Sequence, residues 1–206
     1  MFWGRKRRQT RRDDWLAMAD RLELQDASVV AERLRRWLNL GAVEVDPIYV
    51  LRRSDRPRLY LFDYRKERRG PAGSVLQTVT ACLLRSETNV ATVSLRARRK
   101  RNAVLESLEA SAIGGQPVVV PGAPDFSEQI TVYARESEAA AEILTPEIRE
   151  VFERVLLKRC DEPALVVGER HLLATCEGDT PADLDQLERM IGDLLKLYQL
   201  LDPQEP

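Results

Sequence analysis

The chain has 206 residues, 44% of them apolar and 32% charged, with a net charge of −1; this suits one domain or two small ones and excludes a disordered chain. No stretch approaches the roughly 18 consecutive apolar residues of a membrane-spanning helix, so membrane contact is expected to be peripheral at most. The near-neutral total conceals a division, because residues 1–103 hold 24 Lys and Arg against 12 Asp and Glu, and residues 104–206 hold 8 against 21.

The basic half starts with GRKRRQTRR, where Arg5, Lys6, Arg7, Arg8, Arg11 and Arg12 supply six cations and no anion, the pattern of a flexible arm over residues 1–12. This segment lacks an apolar core and a small-residue cleavage site and so does not read as a secretory signal. Three cysteines, Cys82, Cys160 and Cys176, lack CxxC spacing, and an odd count argues against a disulfide framework. A reducing cytoplasm is the expected compartment.

Two short helices are expected next. Trp15, Leu16, Ala19 and Leu22 share one face of the first. Asp26 is placed to cap the second, in which Val30, Leu34, Trp37 and Leu38 recur at helical spacing before Gly41, with Arg33, Arg35 and Arg36 on the outer sides. The period then changes to two. AVEVDPIYVLRR, RLYLFDYRKE, VLQTVTACLLR and NVATVSLRA are strand-like runs separated by turn signals, which predicts an antiparallel meander. In the second of these, Leu59, Leu61 and Asp63 alternate with Tyr60, Phe62 and Tyr64, so both faces are largely apolar, as in a strand covered on both sides. A short helix around Val104, Leu105 and Leu108 follows the run Arg98, Arg99, Lys100 and Arg101, and IGGQPVVVPGAPDF then breaks regular structure.

The second half reads β-α-α-β-β-α. QITVYAR is a strand and SEAAAEIL a helix; TPEIREVFERVLLKR is a second helix with Thr145 as its cap and Pro146 in its first turn. ALVVGERHLLATC is a hairpin turning near Gly168 and Glu169. The last segment is a long amphipathic helix, with Thr180 and Asp183 spaced as a capping box. Its stripe of Leu184, Leu187, Ile191, Leu194, Tyr198 and Leu201 fits either a partner or dimer seam or packing on the sheet, and the added breadth from Met190, Leu195 and Leu197 favours the sheet. The class is therefore α+β: an arm at 1–12, a basic helical and meander lobe at 13–112, a Gly/Pro connection at 113–126 and an acidic α+β lobe at 127–206, the two lobes forming one domain in the alternative.

LYLFDYRKE, QTVTACLL, DFSEQITVYARESEAAAEILTPEIREVF and VVGERHLLATCEG together resemble a diffuse group of uncharacterised bacterial proteins. Its members share an FDY-type strand, a Thr-Val-containing strand and a strand-helix passage ending in LTP, and the resemblance runs over about residues 58–201. Several of these proteins carry hydrophobic segments that this chain lacks. The resemblance implies a fold and supplies no catalytic residues.

Motifs for chemistry are scarce. His171 is the only histidine, and on a strand it points away from Cys176, five residues on, so no metal site is expected. There is no Walker loop, dinucleotide fingerprint, G-x-S-x-G or H-E-x-x-H, and no cofactor is expected. Asp63 stands out as a carboxylate in an apolar strand that needs a donor, such as an Arg of the neighbouring strand, and it reads as structural. Candidate anion- or nucleic-acid-binding residues are the arm cations, Arg33 and Arg36, the turn set Arg65, Lys66, Arg68 and Arg69, and the run from Arg98 to Arg101. With few aromatics beside them, they would contact phosphate backbone with little sequence preference. Two functions follow: a non-catalytic cytoplasmic binding or assembly protein, and a nucleic-acid-associated protein using its Arg-rich half.

Overall fold

A computed structural model describes residues 13–37, 45–51, 58–70, 73–85, 92–97, 115–156, 162–168, 171–178 and 183–201. Helix α1 spans 13–21 and is followed by β1 (Leu24–Asp26), a 3-10 turn (Ser28–Val30) and α2 (Ala31–Trp37). Strands β2 (Val45–Leu51), β3 (Leu59–Gly70), β4 (Gly73–Arg85), β5 (Val93–Ala97) and β6 (Gln116–Val118) come next. The remainder is α3 (Pro124–Gln129), β7 (Ile130–Ala134), α4 (Ser137–Ile143), α5 (Pro146–Leu156), β8 (Glu162–Gly168), β9 (His171–Gly178) and α6 (Leu184–Leu201). The α+β class is as expected, with the long last helix in place.

The nine strands among the described residues belong to one antiparallel sheet, in the order β1-β2-β3-β4-β9-β8-β5-β7-β6. The expected meander holds for β2, β3 and β4, but β5 leaves it to pair with β7 and β8. Its place beside β4 is taken by β9, which sets Leu83 against Leu173 and Leu84 against Leu172. Alternating apolar strands offer many equivalent neighbours, and local pattern does not choose among them. Strands of the basic and acidic halves thus share one sheet, and the hairpin expected at Gly168 is β8–β9, with Gly168 paired to His171.

Strand alternation gives the sheet two faces. The first carries Leu61, Cys82, Leu84, Val93, Leu95, Leu165, Leu172 and Val132 against Trp15 and Met18 of α1, Phe126 of α3, Ile143 of α4, Phe152 of α5 and Leu187, Met190, Ile191, Leu194 and Leu197 of α6. The α6 stripe is therefore core: Leu184, Tyr198 and Leu201 pack at its margin, and Leu187, Ile191 and Leu194 are buried and unavailable as a dimer seam. The second face carries Ile48, Tyr60, Phe62, Ala81 and Leu83 against Ala27 of the turn and Leu34 of α2.

Several local expectations are corrected. Leu16 is 55% exposed and Met18 is buried in its stead, because helical geometry sets Met18 three residues beyond Trp15 on the inward face. The residues after α1 form strand β1 instead of continuing a helix; Glu23 adopts φ 54 and turns the chain out of α1. Asp26 Oδ1 accepts from the Ser28 backbone N–H at 2.7 Å, so it starts the turn before α2. The capping box of α6 is Asp183 with Gln186: the Asp183 N–H donates to Gln186 Oε1 at 2.9 Å and the Gln186 N–H to Asp183 Oδ1 at 2.8 Å. Thr180 lies outside the described residues. Thr145 caps α5 as expected, accepting from the Ile148 N–H at 3.4 Å. Cys82 is free and buried, whereas Cys176 is disulfide-bonded, against the expectation from the odd cysteine count.

Candidate anion-binding cleft

Helix α2 crosses the second face of the sheet over β2, β3 and β4. Leu34 anchors it, and its helical period sends Arg33 and Arg36 to the flanks of that anchor. On the sheet, Tyr60 of β3 pairs with Leu83 of β4, and two residues on, Arg85 points to the same face. Between helix and sheet lies a cleft of about 560 Å³ lined by Val30, Arg33, Leu34, Arg36, Tyr60 and Arg85. Arg58 sits across from Arg85, whose backbone N–H donates to the Arg58 carbonyl at 2.9 Å, and it adds a further exposed cation to that end of β3.

Among the described residues, the lining holds the guanidinium groups of Arg33, Arg36 and Arg85 and no carboxylate. Glu32 of α2 is engaged by Arg35 in an ion pair within the helix. Arg36 Nε donates to the Glu32 carbonyl at 3.4 Å, and Arg33 forms no ion pair among the described residues.

His171 borders this region from β9, where it pairs with Arg85 on one side and Gly168 on the other. Its ring lies across Gly168: a Cβ there would come within 2.4 Å of the imidazole Cε1. Burial lowers the His171 pKa, keeping the ring neutral where an exposed histidine would begin to protonate.

Of the residues singled out from sequence, Arg33 and Arg36 meet in the cleft. Arg65 lies on the other face of the sheet, since it alternates with Tyr64 and shares the side of Leu61 and Asp63. Lys66, Arg68 and Arg69 belong to β3, but their side chains are outside those described. Arg5, Lys6, Arg7, Arg8, Arg11, Arg12, Arg98, Arg99, Lys100 and Arg101, and the helix expected near Leu105, fall outside the described residues. Sequence reasoning passed over Arg58 and Arg85, which stand singly at strand ends; alternation places Arg85 on the face of Leu83, but only α2 above it makes a cleft there.

Asp63, 4% exposed, accepts from Trp15 Nε1 at 2.7 Å and from Thr80 Oγ1 at 2.9 Å. Trp15 also stacks on Tyr49, with ring centroids 5.3 Å apart, so this carboxylate fastens α1 to the first face. Among the described residues no group of three or more His, Cys, Asp or Glu side chains is placed to hold a metal, and no helix is long and apolar enough to cross a membrane.

No protein-family model and no curated protein sequence matches the chain. Among solved structures, the chain is similar to the mycobacterial trehalose monomycolate transport factor A, TtfA, with a TM-score of 0.54, 12% sequence identity, and 92% of this chain and 93% of that chain covered. At that identity the likeness is one of fold, and it extends over nearly the whole of both chains.

Proposed function

We propose that this is a non-catalytic binding protein whose ligand-facing surface is the cleft under α2. The observation that carries the reading is the pair of exposed cations Arg33 and Arg36 on α2 at the mouth of the cleft, with charge to hold an anion. A fold shared with the transport factor TtfA accords with binding. Membership in the bacterial group with the LYLFDY strand and the LTP passage is part of the same proposal. So is a cytoplasmic location, which stands beside the Cys176 disulfide; thiol trapping in cells followed by peptide mapping decides between a reduced and an oxidised state.

A second reading is binding of nucleic-acid phosphate backbone, favoured by the cations of α2 and by the Arg58–Arg85 end of the sheet on one face. Fluorescence anisotropy of labelled single- and double-stranded DNA and RNA from about 50 to about 300 mM salt tests it, beside a thermal-shift panel of small anions and cations. The binding reading expects at least one anion to raise Tm, and Arg33→Ala/Arg36→Ala to remove the effect. If no anion, large or small, distinguishes the parent from the double variant, the cleft is not a binding surface.

A further inference from the structure

Charge is separated across the molecule as well as along the chain. Exposed Arg33 and Arg36 of α2, with exposed Arg58 just before β3, lie on the second face of the sheet over β2 and β3. Arg33 and Arg58 form no ion pair among the described residues. Helices α3 and α4 pack on β7 from the first face, and residues 124–143 carry Asp125, Glu128, Glu136, Glu138 and Glu142 against one cation, Arg135. All of these carboxylates are exposed, and none is in an ion pair among the described residues. Strands β4, β9, β8 and β5 stand between β3 and β7, so at about 4.8 Å per step the two surfaces are about 24 Å apart along the sheet, and on opposite faces. That is roughly three Debye lengths at physiological salt, so neither surface neutralises the other within one chain.

We propose that the outer surface of α2 docks the α3–α4 surface of a second copy of this chain, head to tail. This rests on the reading of Arg33 and Arg36 as an anion-binding pair and names the anion, carboxylates presented on a helical surface. Charge complementarity identifies the partner, because every copy carries both surfaces and the two cannot meet within it. Each surface also has an apolar element. Val29, 92% exposed, stands four residues before Arg33, and Val119, 68% exposed, lies beside α3, where the Val120 N–H donates to Ser127 Oγ at 3.1 Å. Exposed ion pairs steer and orient more than they hold, so the contact is weak and sensitive to salt. The two surfaces differ, so the contact is heterologous, and copies extend or close into a ring instead of stopping at a two-fold dimer. Nucleic acid is the poorer occupant, since Tyr60, the aromatic residue beside Arg33 and Arg36, is buried and offers no ring to a base.

The test is sedimentation velocity of the full chain from about 10 to about 200 µM, at about 20 and about 300 mM salt. The sedimentation coefficient is expected to rise with concentration at the lower salt and to stay at the monomer value at the higher. Arg33→Ala/Arg36→Ala and, separately, Glu138→Gln/Glu142→Gln should each weaken association at least about tenfold with Tm unchanged, since all of these positions are exposed. An equimolar mixture of the two variants keeps one intact surface of each kind and should form a one-to-one dimer that does not grow.

A monomer at both salt concentrations, association indifferent to salt, or association retained in either double variant overturns the proposal. So does a mixture of the variants that stays monomeric, because the two surfaces are then not each other's partners. A rise in Tm with small anions that is lost in Arg33→Ala/Arg36→Ala, without association of the parent, overturns the second copy as occupant and leaves α2 a binding surface. Binding of DNA or RNA through the same arginines, again without association, has the same meaning. Absence of both association and any anion response removes the two readings together.

Discussion

Asp63 shows how a charged residue is accommodated in this fold. Trp15 and Thr80 reach its two oxygens, one from the distant helix α1 and the other from β4, the hairpin partner of β3. Thr80→Val keeps the side chain's shape and removes one donor, so it should cost about 1–3 kcal/mol in urea unfolding. Combined with Trp15→Phe it should be non-additive by at least ~0.5 kcal/mol, because both donors serve one carboxylate. Glu23 presents the opposite case, a residue with a Cβ at φ 54 where glycine is at ease. Glu23→Gly should stabilise the protein by about 0.5–1 kcal/mol, measured in the same way. His171 contributes pH dependence. Its folded pKa is depressed by burial, so the unfolded chain binds the extra proton more readily; stability is fully present above the ordinary value of 6.5 and is lost as pH falls through the folded-state value. Gly168→Ala would push the ring off β8 and away from its buried seat near Arg85. An NMR titration should then find the His171 pKa closer to 6.5 than in the parent.

At the scale of elements, α6 is held at its start by a reciprocal cap and along its length by burial. Asp183→Ala removes the acceptor for the Gln186 N–H and should cost about 1 kcal/mol, with faster amide exchange confined to the first turn of α6. The helix spans β4 and β9 and lies beside α5, so the spacing of Leu187, Ile191 and Leu194 was legible in the sequence, and so was the sheet as the favoured partner, while the strands it covers were not. A broad apolar stripe fits a sheet better than a second helix, and here breadth decided correctly. Capping was legible less well. Thr180 and Asp183 have box spacing, yet Asp183 and Gln186 also lie three apart, and the helix starts where the second pair can close. Similarly, LELQD after α1 has residues a helix accepts, but β2 offers an edge for it to pair with, and Leu24 lies opposite Leu51.

For the whole molecule, the division of charge in the sequence has a partial counterpart in space. Arg21 of α1 lies 3.0 Å from Glu188 and 4.0 Å from Asp185 of α6, so a basic-half helix meets an acidic-half helix at the surface. These exposed pairs contribute little stability and are screened by salt. The sheet binds the halves more firmly, since β9 and β8 separate β4 from β5 and neither half can complete the sheet alone. Two outcomes follow. Leu194→Asp is expected to unfold the chain, read as a collapsed thermal transition, and not to yield a folded monomer from a dimer. The bonded sulfur of Cys176 lies 3.8 Å from Met190 of α6. Reduction, or Cys176→Ser, should lower stability by about 2–4 kcal/mol, and peptide mapping without reductant should recover the Cys176 peptide in a cross-linked species.

Periodicity by itself determined the class, the strand-helix passage from 130 to 156, the β8–β9 hairpin and the inward stripe of α6, because these depend on side-chain spacing along one stretch of chain. The lack of familiar catalytic and cofactor motifs was equally plain from the residues. Tertiary structure alone decided that β9 displaces β5 beside β4, that Arg65 and Arg33 end on different faces, and that Arg85 joins Arg33 and Arg36 over Tyr60. Those are choices among neighbours, and neighbours in this sheet are set by packing between segments as far apart as residues 34, 60 and 173, which no local pattern records.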